Sequence, residues 1–243
     1  MTNMARYSVC IATYNGGRFI KQQLLSILPQ LGEHDEIIIT DDSSTDNTVT
    51  LIQELGDPRI KIYPGQRFGN PTYNFEKCLS KARGEIVFLA DQDDIWLHDK
   101  VAVVERAFDD GDCCIVVSDA VVVDEGLRTL HDSFHSERNS GPGLLKNLVK
   151  NSYLGCTMAV RRSVLEKALP FPRNIPMHDI WLGLVGEVFC RPVFIDNKLV
   201  LYRRHEHTVT TGRRATVVRM LAWRFSLIVG LGLRYIRVKV YGR

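Results

Sequence analysis

The sequence carries six cysteines, Cys10, Cys78, Cys113, Cys114, Cys156 and Cys190, and no C-x-x-C pair among them. Without regular spacing they exclude a zinc ribbon and a disulfide-framed secreted module, and they are expected to be reduced core residues. No apolar stretch of leader length precedes the strand-like segment that begins at Tyr7, so a cytoplasmic location is expected. The longest charge-free run of the C-terminal tail, Phe225 to Leu233, is nine residues. Spanning a bilayer takes roughly 20. No G-x-G-x-x-G follows the first strand and no G-x-x-x-x-G-K-[ST] occurs, which excludes dinucleotide and P-loop chemistry. Acidic residues are almost missing after residue 202, where Glu206 stands alone against 10 Lys/Arg. That tail is +9 and the preceding body −6, although the whole chain is only +3. An acidic body with a basic tail predicts a tail that meets an anionic surface.

What is present suits one sizeable core: 243 residues, 45% hydrophobic and 24% charged, with 18 Gly and 9 Pro. That composition excludes collagen-like, coiled-coil and disordered chains. Residues 8–12 (SVCIA), 36–40 (EIIIT), 59–63 and 86–90 read as short buried strands. Helical spacing fills 18–28, 48–55 and 72–82 between them. This alternation predicts an α/β fold with a parallel sheet covered on both faces. Further on, helices are expected at 100–108, 144–150 and 179–188, and strands at 115–118, 155–160 and 199–203.

In such sheets ligands bind beyond the carboxyl ends of the strands. Asp91-Gln92-Asp93 places two carboxylates at i and i+2 directly after a buried strand. Hard oxygen ligands at that spacing suit Mg²⁺ or Mn²⁺, completed by substrate phosphates. The plainer reading is a helix cap made by Asp93 or Asp94. Trp96 and Ala102 occupy the glycine and terminal glutamate positions of a calcium loop, which excludes an EF-hand. Asp41-Asp42 is a second acidic pair at a neighbouring strand end, with Asp46 placed to start the next helix. Like charges converging on one edge call for a cation or hydrogen-bond donors. A nucleotide fits both loops, its base or ribose at Asp41 or Asp42 and its diphosphate held through a metal at Asp91 and Asp93.

Over about 90 residues the chain resembles family 2 glycosyltransferases of the GT-A fold. The resemblance rests on Ser8-Val9-Cys10-Ile11-Ala12-Thr13-Tyr14-Asn15-Gly16, Asp41-Asp42-Ser43-Ser44-Thr45-Asp46-Asn47-Thr48, Asn74-Phe75 with Ala82-Arg83-Gly84-Glu85, and Asp91-Gln92-Asp93-Asp94-Ile95-Trp96, in that order. Met177-His178-Asp179-Ile180-Trp181 and Tyr202-Arg203-Arg204-His205 make it most similar to the bacterial rhamnosyltransferase-like branch. The resemblance implies one Rossmann-like nucleotide-diphospho-sugar transferase domain over 1–212, its sheet mixed but mostly parallel, followed by a basic amphipathic segment over 213–243.

It also implies roles by position. Thr13, Tyr14 and Asn15 would line the base pocket, with Asp41 and Asp42 at base and ribose. Asn74 and Gln92 would face the nucleotide. Asp91 and Asp93 would be the D-x-D pair, Asp93 nearest the Mn²⁺ or Mg²⁺, and His205 a further metal ligand or diphosphate contact. Relatives carry Asn three residues beyond this His, then Gly; here Thr208 and Gly212 stand in a stretched version. Asp179 would be the carboxylate that takes the acceptor hydroxyl proton in a single, inverting displacement. Without the resemblance, Asp179 reads as a helix N-cap, and Trp96 and Trp181 as either sugar platforms or core.

The activity implied is transfer of a sugar, L-rhamnose from a dTDP donor first, or a hexose from a UDP donor, to a lipid-linked saccharide of O-antigen or capsule. A non-catalytic nucleotide- or metal-binding module is the rival from another class. In the tail, arginines intersperse with Val217, Trp223, Phe225, Ile228 and Leu231, which suits a helix lying in a membrane interface at the inner face of the plasma membrane. The alternatives are docking on the protein's own core or on a second subunit as a homodimer. No nucleic-acid motif accompanies the charge.

Overall fold

The computed structural model describes residues 5–205 and 216–241. Strands β1 (Tyr7–Thr13), β2 (Glu36–Asp41), β3 (Ile60–Tyr63) and β4 (Ile86–Ala90) are joined by helices α1 (Ile20–Ile27), α2 (Thr48–Gln53) and α3 (Pro71–Leu79). They pair in parallel in the order β3-β2-β1-β4, with Thr13 opposite Asp41 and Ile11 opposite Ala90. Residues alternate across β1: Val9 and Ile11 enter one core layer with Ile20, Leu24 and Ile37, and Cys10 enters the other with Phe75, Cys78 and Val87. The near-complete burial of β1, β2 and β4 explains why they carry no polar alternation, whereas the edge strand β3 turns Lys61 outward.

The second half departs from a simple alternation. β5 (Ile95–Trp96), α4 (Lys100–Ala107), β6 (Cys113–Val123), β7 (Thr129–His131), α5 (Phe134–Arg138) and α6 (Leu144–Val149) lead to β8 (Met158–Arg161), α7 (Arg162–Ala168), α8 (His178–Phe189), β9 (Arg191–Arg203) and α9 (Val217–Tyr241). The described residues form one nine-stranded mixed sheet, β3-β2-β1-β4-β8-β6-β9-β5, with β7 on β6. β8 lies antiparallel between β4 and β6, and β5 antiparallel on β9. β6 and β9 extend well past the predicted 115–118 and 199–203, because the two pair in parallel along most of their length. Residues 155–157, expected as strand, form a 3₁₀ turn before β8.

Gly84 has a tertiary reason to be glycine: its N–H donates to Ser8 Oγ at 2.7 Å, and a Cβ would lie 2.5 Å from the Ser8 backbone nitrogen. The cysteine expectation needs correction at one pair. Cys114 and Cys190 form a disulfide, their Cα atoms 6.1 Å apart. Parallel pairing of Cys113 with Arg191 brings the start of β6 beside the end of α8, which no sequence spacing announces. The other four cysteines are free and buried.

Helix α9 docks one side on the body. Leu227 and Leu231 are buried there, and a Cβ on Gly230 would lie 2.8 Å from Pro172 and 3.2 Å from Trp181. Self-docking is thus realised for this stripe, while the opposite side remains exposed. No described helix is long and apolar enough to cross a membrane.

Candidate active site

The carboxyl ends of β1, β2 and β4 lie side by side by register, so their loops share one edge. Asp41, at the end of β2, is buried and accepts from Thr13 Oγ1 at 3.0 Å and from the Ser44 N–H at 2.8 Å. Asp42 turns the other way and accepts from the Phe68 N–H at 2.5 Å and the Gly69 N–H at 2.8 Å, fixing the loop before α3. Asn15, at positive φ, accepts from the Thr45 N–H through Oδ1 at 2.8 Å. Its own N–H donates to Ser44 Oγ, also at 2.8 Å. Tyr14 is left 56% exposed at the rim. Asn74 sits beneath this loop: it is buried and its Nδ2 donates to the Thr13 carbonyl at 3.2 Å. Its Oδ1 has no partner among the described residues.

Gln92 bridges the two halves of the edge. Its Oε1 accepts from the Tyr14 N–H at 3.0 Å and its Nε2 donates to the Tyr14 carbonyl at 3.1 Å. A Cβ on Gly16 would lie 2.3 Å from that Oε1, so the clasp requires glycine there. The residue expected to face a nucleotide therefore spends both ends of its amide on holding the loop that carries Tyr14.

Asp91, Asp93 and Asp94 do not cap α4, whose N-cap is Asp99 with no side-chain cap bond. Asp93 Oδ2 meets His205 Nε2 at 2.7 Å. β9 delivers this histidine, because Ile95 pairs with Leu201 immediately after the acidic loop. Arg203 locks the same junction: its backbone N–H donates to Asp94 Oδ1 at 2.8 Å, its Nε to the Asp93 carbonyl at 2.7 Å and its Nη2 to Gln22 Oε1 at 2.9 Å. The Asp93 bond holds the His205 pKa above its ordinary value. Thr208 and Gly212 lie outside the described residues.

Deeper in, ligand atoms of Asp91, Asp94 and Cys156 lie within 4.8 Å of one another. Asp94 Oδ2 is buried without a hydrogen-bond partner among the described residues. Packing around the carboxyl, then the charges of Asp94, Asp93 and Asp179, push the Asp91 pKa well above its usual range. Burial, reinforced by Asp93, raises Asp94 to about 7. This crowding suits a cation, and two carboxylates make a hard oxygen set. One cation is already built in. Lys100 is wholly buried, donates from Nζ to the Cys156 carbonyl at 2.8 Å, and lies 4.4 Å from the centre of the Trp96 ring. Burial lowers its pKa to about 8 against the opposing pull of the nearby groups, Asp94 and Asp91 among them.

Asp179 sits in the first turn of α8, whose N-cap is Met177. Its Oδ1 accepts from the Ile180 N–H at 2.5 Å and from Asn151 Nδ2 at 3.3 Å. Burial raises its pKa to about 6. His178 beside it is stacked on Phe75 at 3.9 Å between ring centres, and neither ring nitrogen is bonded among the described residues. Burial lowers its pKa to about 3, so it is a neutral packing group at ordinary pH. Trp96 and Trp181 are both core, 3% and 0% exposed, and are not sugar platforms. Lys77 lines a groove of about 580 Å³ with Phe68, Tyr73, Glu76 and Pro170, which none of the carboxylates above borders.

The structure thus brings Asp91, Asp93, His205 and Asp179 to one region, beside a rim built by Thr13, Tyr14, Asn15, Asp41 and Asp42. Sequence reasoning missed Lys100, Arg203 and Asn151. Arg203 stood within the Tyr202-Arg203-Arg204-His205 string, but nothing local showed that it grips the acidic loop.

The mixed α/β sheet, with an acidic loop at its strand ends, is GT-A-like. The family model for glycosyl transferase family 2 matches residues 8–169, and the chain belongs to that family and is a glycosyltransferase. Asp179 and His205 lie beyond the matched residues. The dTDP-rhamnosyl transferase RfbG of Shigella flexneri is 30% identical over 216 residues, which cover 81% of this chain and 72% of that protein. The UDP-Glc:alpha-D-GlcNAc-diphosphoundecaprenol beta-1,3-glucosyltransferase WfgD of Escherichia coli is 23% identical over 185 residues, 74% of this chain and 70% of its own length. Among solved structures, the S. aureus TarS fragment 1–349 in complex with UDP-GlcNAc superposes with a TM-score of 0.73 at 17% identity. The match covers 95% of this chain and 66% of that fragment, and it speaks for the fold.

Proposed function

We propose that this glycosyltransferase moves a sugar from a nucleoside-diphosphate donor to a lipid-linked saccharide in bacterial surface polysaccharide synthesis, O-antigen or capsule, with inversion at the anomeric carbon. The observation that carries the proposal is the placing of Asp179, a buried carboxylate with a pKa of about 6, within electrostatic reach of the Asp91 loop. A carboxylate tuned toward neutrality can accept a hydroxyl proton near physiological pH. In the reaction the acceptor oxygen bonds to the anomeric carbon as the bond to the diphosphate breaks, and the hydroxyl proton passes to Asp179.

Tyr14 and Asn15 would receive the base, with Asp41 and Asp42 holding their loops in register. Mn²⁺ or Mg²⁺ would be held by Asp91, Asp93 and His205, since Lys100 already charges the inner side of the cluster. When bound, such an ion stabilises the negative charge of the departing diphosphate. L-Rhamnose from dTDP-rhamnose is the donor we favour, supported by the likeness to RfbG over 81% of the chain. A UDP-hexose is the second reading, supported by the likeness to WfgD.

The test is turnover of dTDP-rhamnose and UDP-hexoses by wild type and Asp179→Asn with a polyprenyl-diphosphate saccharide as acceptor. The substitution is expected to lower kcat at least about 100-fold while donor binding persists. Transfer at the wild-type rate by Asp179→Asn overturns the base assignment. Turnover of neither dTDP-rhamnose nor a UDP-hexose by wild type overturns the donor and acceptor assignment.

A further inference from the structure

Helix α9 is apolar on two opposite sides. Leu227, Gly230 and Leu231 are buried against the body, while Val218, Leu221, Phe225 and Ile236 point outward, 77%, 64%, 71% and 56% exposed. A stripe of this size left in water is unusual for a soluble surface and marks an interaction face. The outward stripe does not stand alone. Arg224 Nη2 donates to the Val149 carbonyl at 2.6 Å, tying α9 to the end of α6, where Leu145 and Val149 are 75% and 74% exposed. Two residues further, Asn151 holds Asp179. The apolar face therefore runs from α9 across α6 to the edge of the reaction site.

Its charge is of one sign. No Asp or Glu occurs in residues 138–165 or 217–241. Exposed Lys146 and Lys150 flank the α6 apolar residues, and exposed Arg219, Arg237 and Lys239 flank those of α9. We infer that α6 and α9 together form a docking surface for an anionic lipid bilayer, seating the acceptor side of the reaction site at the membrane. The inference rests on the proposed role of Asp179 only for the direction in which the site faces. Apolar side chains with a cationic border fit the acyl boundary and the anionic headgroups together. A second copy meeting this face across a two-fold axis would set the same positive charges against one another. A nucleic acid would leave the apolar stripes uncovered.

The full chain is tested by co-sedimentation with phosphatidylcholine vesicles, with and without about one third phosphatidylglycerol. Wild type is expected to bind the anionic vesicles at least about tenfold more tightly, with affinity falling as salt is raised. Leu145→Glu/Val149→Glu and Phe225→Glu/Ile228→Glu, all at exposed positions, are each expected to weaken binding about tenfold with melting temperature and donor affinity unchanged. Wild type bound equally to both vesicle types, or the α6 pair bound like wild type, overturns the inference. So does a concentration-dependent dimer that the same substitutions dissolve, since the face would then be covered by a second copy. Asp179→Asn should bind vesicles like wild type, so failure of the base assignment and failure of the docking surface are separately visible.

Discussion

Gln92 holds Tyr14 by both of its backbone polar groups, at 3.0 Å and 3.1 Å, and so couples the loop after β1 to the acidic loop after β4. Each such bond contributes about 0.5–1.5 kcal/mol. Gln92→Ala is therefore expected to raise the KM for donor roughly three- to tenfold, with kcat within about twofold of wild type. Gly16→Ala should do the same, because its Cβ would displace the Gln92 amide. Steady-state kinetics with varied donor would check both; a loss confined to kcat would show that Gln92 acts on the reacting atoms instead.

In its proposed role as base, Asp179 would set activity against stability. Its folded pKa, about 6, lies above its ordinary value, so the folded state binds the proton more tightly. Stability from this group is present at low pH and declines as pH rises toward 6. The rate of wild type should rise over the same interval as the carboxylate ionises. Asp179→Asn should lose activity at all pH values yet melt at a higher temperature than wild type at pH 8, with the gap closing near pH 4. Melting curves across pH read this directly, and a gap independent of pH would contradict it.

In the proposed ligand set, the 2.7 Å contact between Asp93 and His205 would set cation binding against protonation. The raised His205 pKa keeps the ring protonated further up the pH scale, whereas a metal ligand must be neutral. Mn²⁺ affinity, measured by calorimetry without donor, should increase as pH rises through that range. His205→Ala should reduce it about 10- to 100-fold and flatten the pH dependence. An unchanged Mn²⁺ affinity would remove His205 from the proposed ligand set.

Lys100 is the buried counter-charge to Asp91 and Asp94. Lys100→Met leaves these carboxylates without it and is expected to cost about 3–5 kcal/mol of stability. Adding Asp94→Asn should recover part of that loss, because the cost lies in the uncompensated charge. Urea denaturation of the two single variants and the double variant gives the coupling. Strict additivity would show that Lys100 contributes packing alone.

Much of the fold is legible in the residues alone. Val9, Ile11 and Ile37 lie in continuous apolar runs that only a doubly covered strand tolerates, and Asp41, Asp91 and Asp93 follow such runs directly, so both strands and loop chemistry could be read locally. The second half was less legible. β6 and β9 were underestimated because their length is set by pairing with each other, and α5, α7 and β7 fell in segments where short elements leave no sustained periodicity. The Cys114–Cys190 pair and the grip of Arg203 on the acidic loop depend on contacts across 76 and 109 residues.

By itself the sequence determined the class of fold, the edge where chemistry gathers, and the charge split between body and tail, since each follows from residue type and spacing over a few turns. Tertiary structure alone decided how those parts are used. It placed Lys100 behind the carboxylates, turned Gln92 onto Tyr14, drew His205 to Asp93, and split α9 into a buried and an exposed apolar side. The reason is that charge compensation and burial are properties of neighbours in space, which a sheet of mixed strand order brings together from distant parts of the chain.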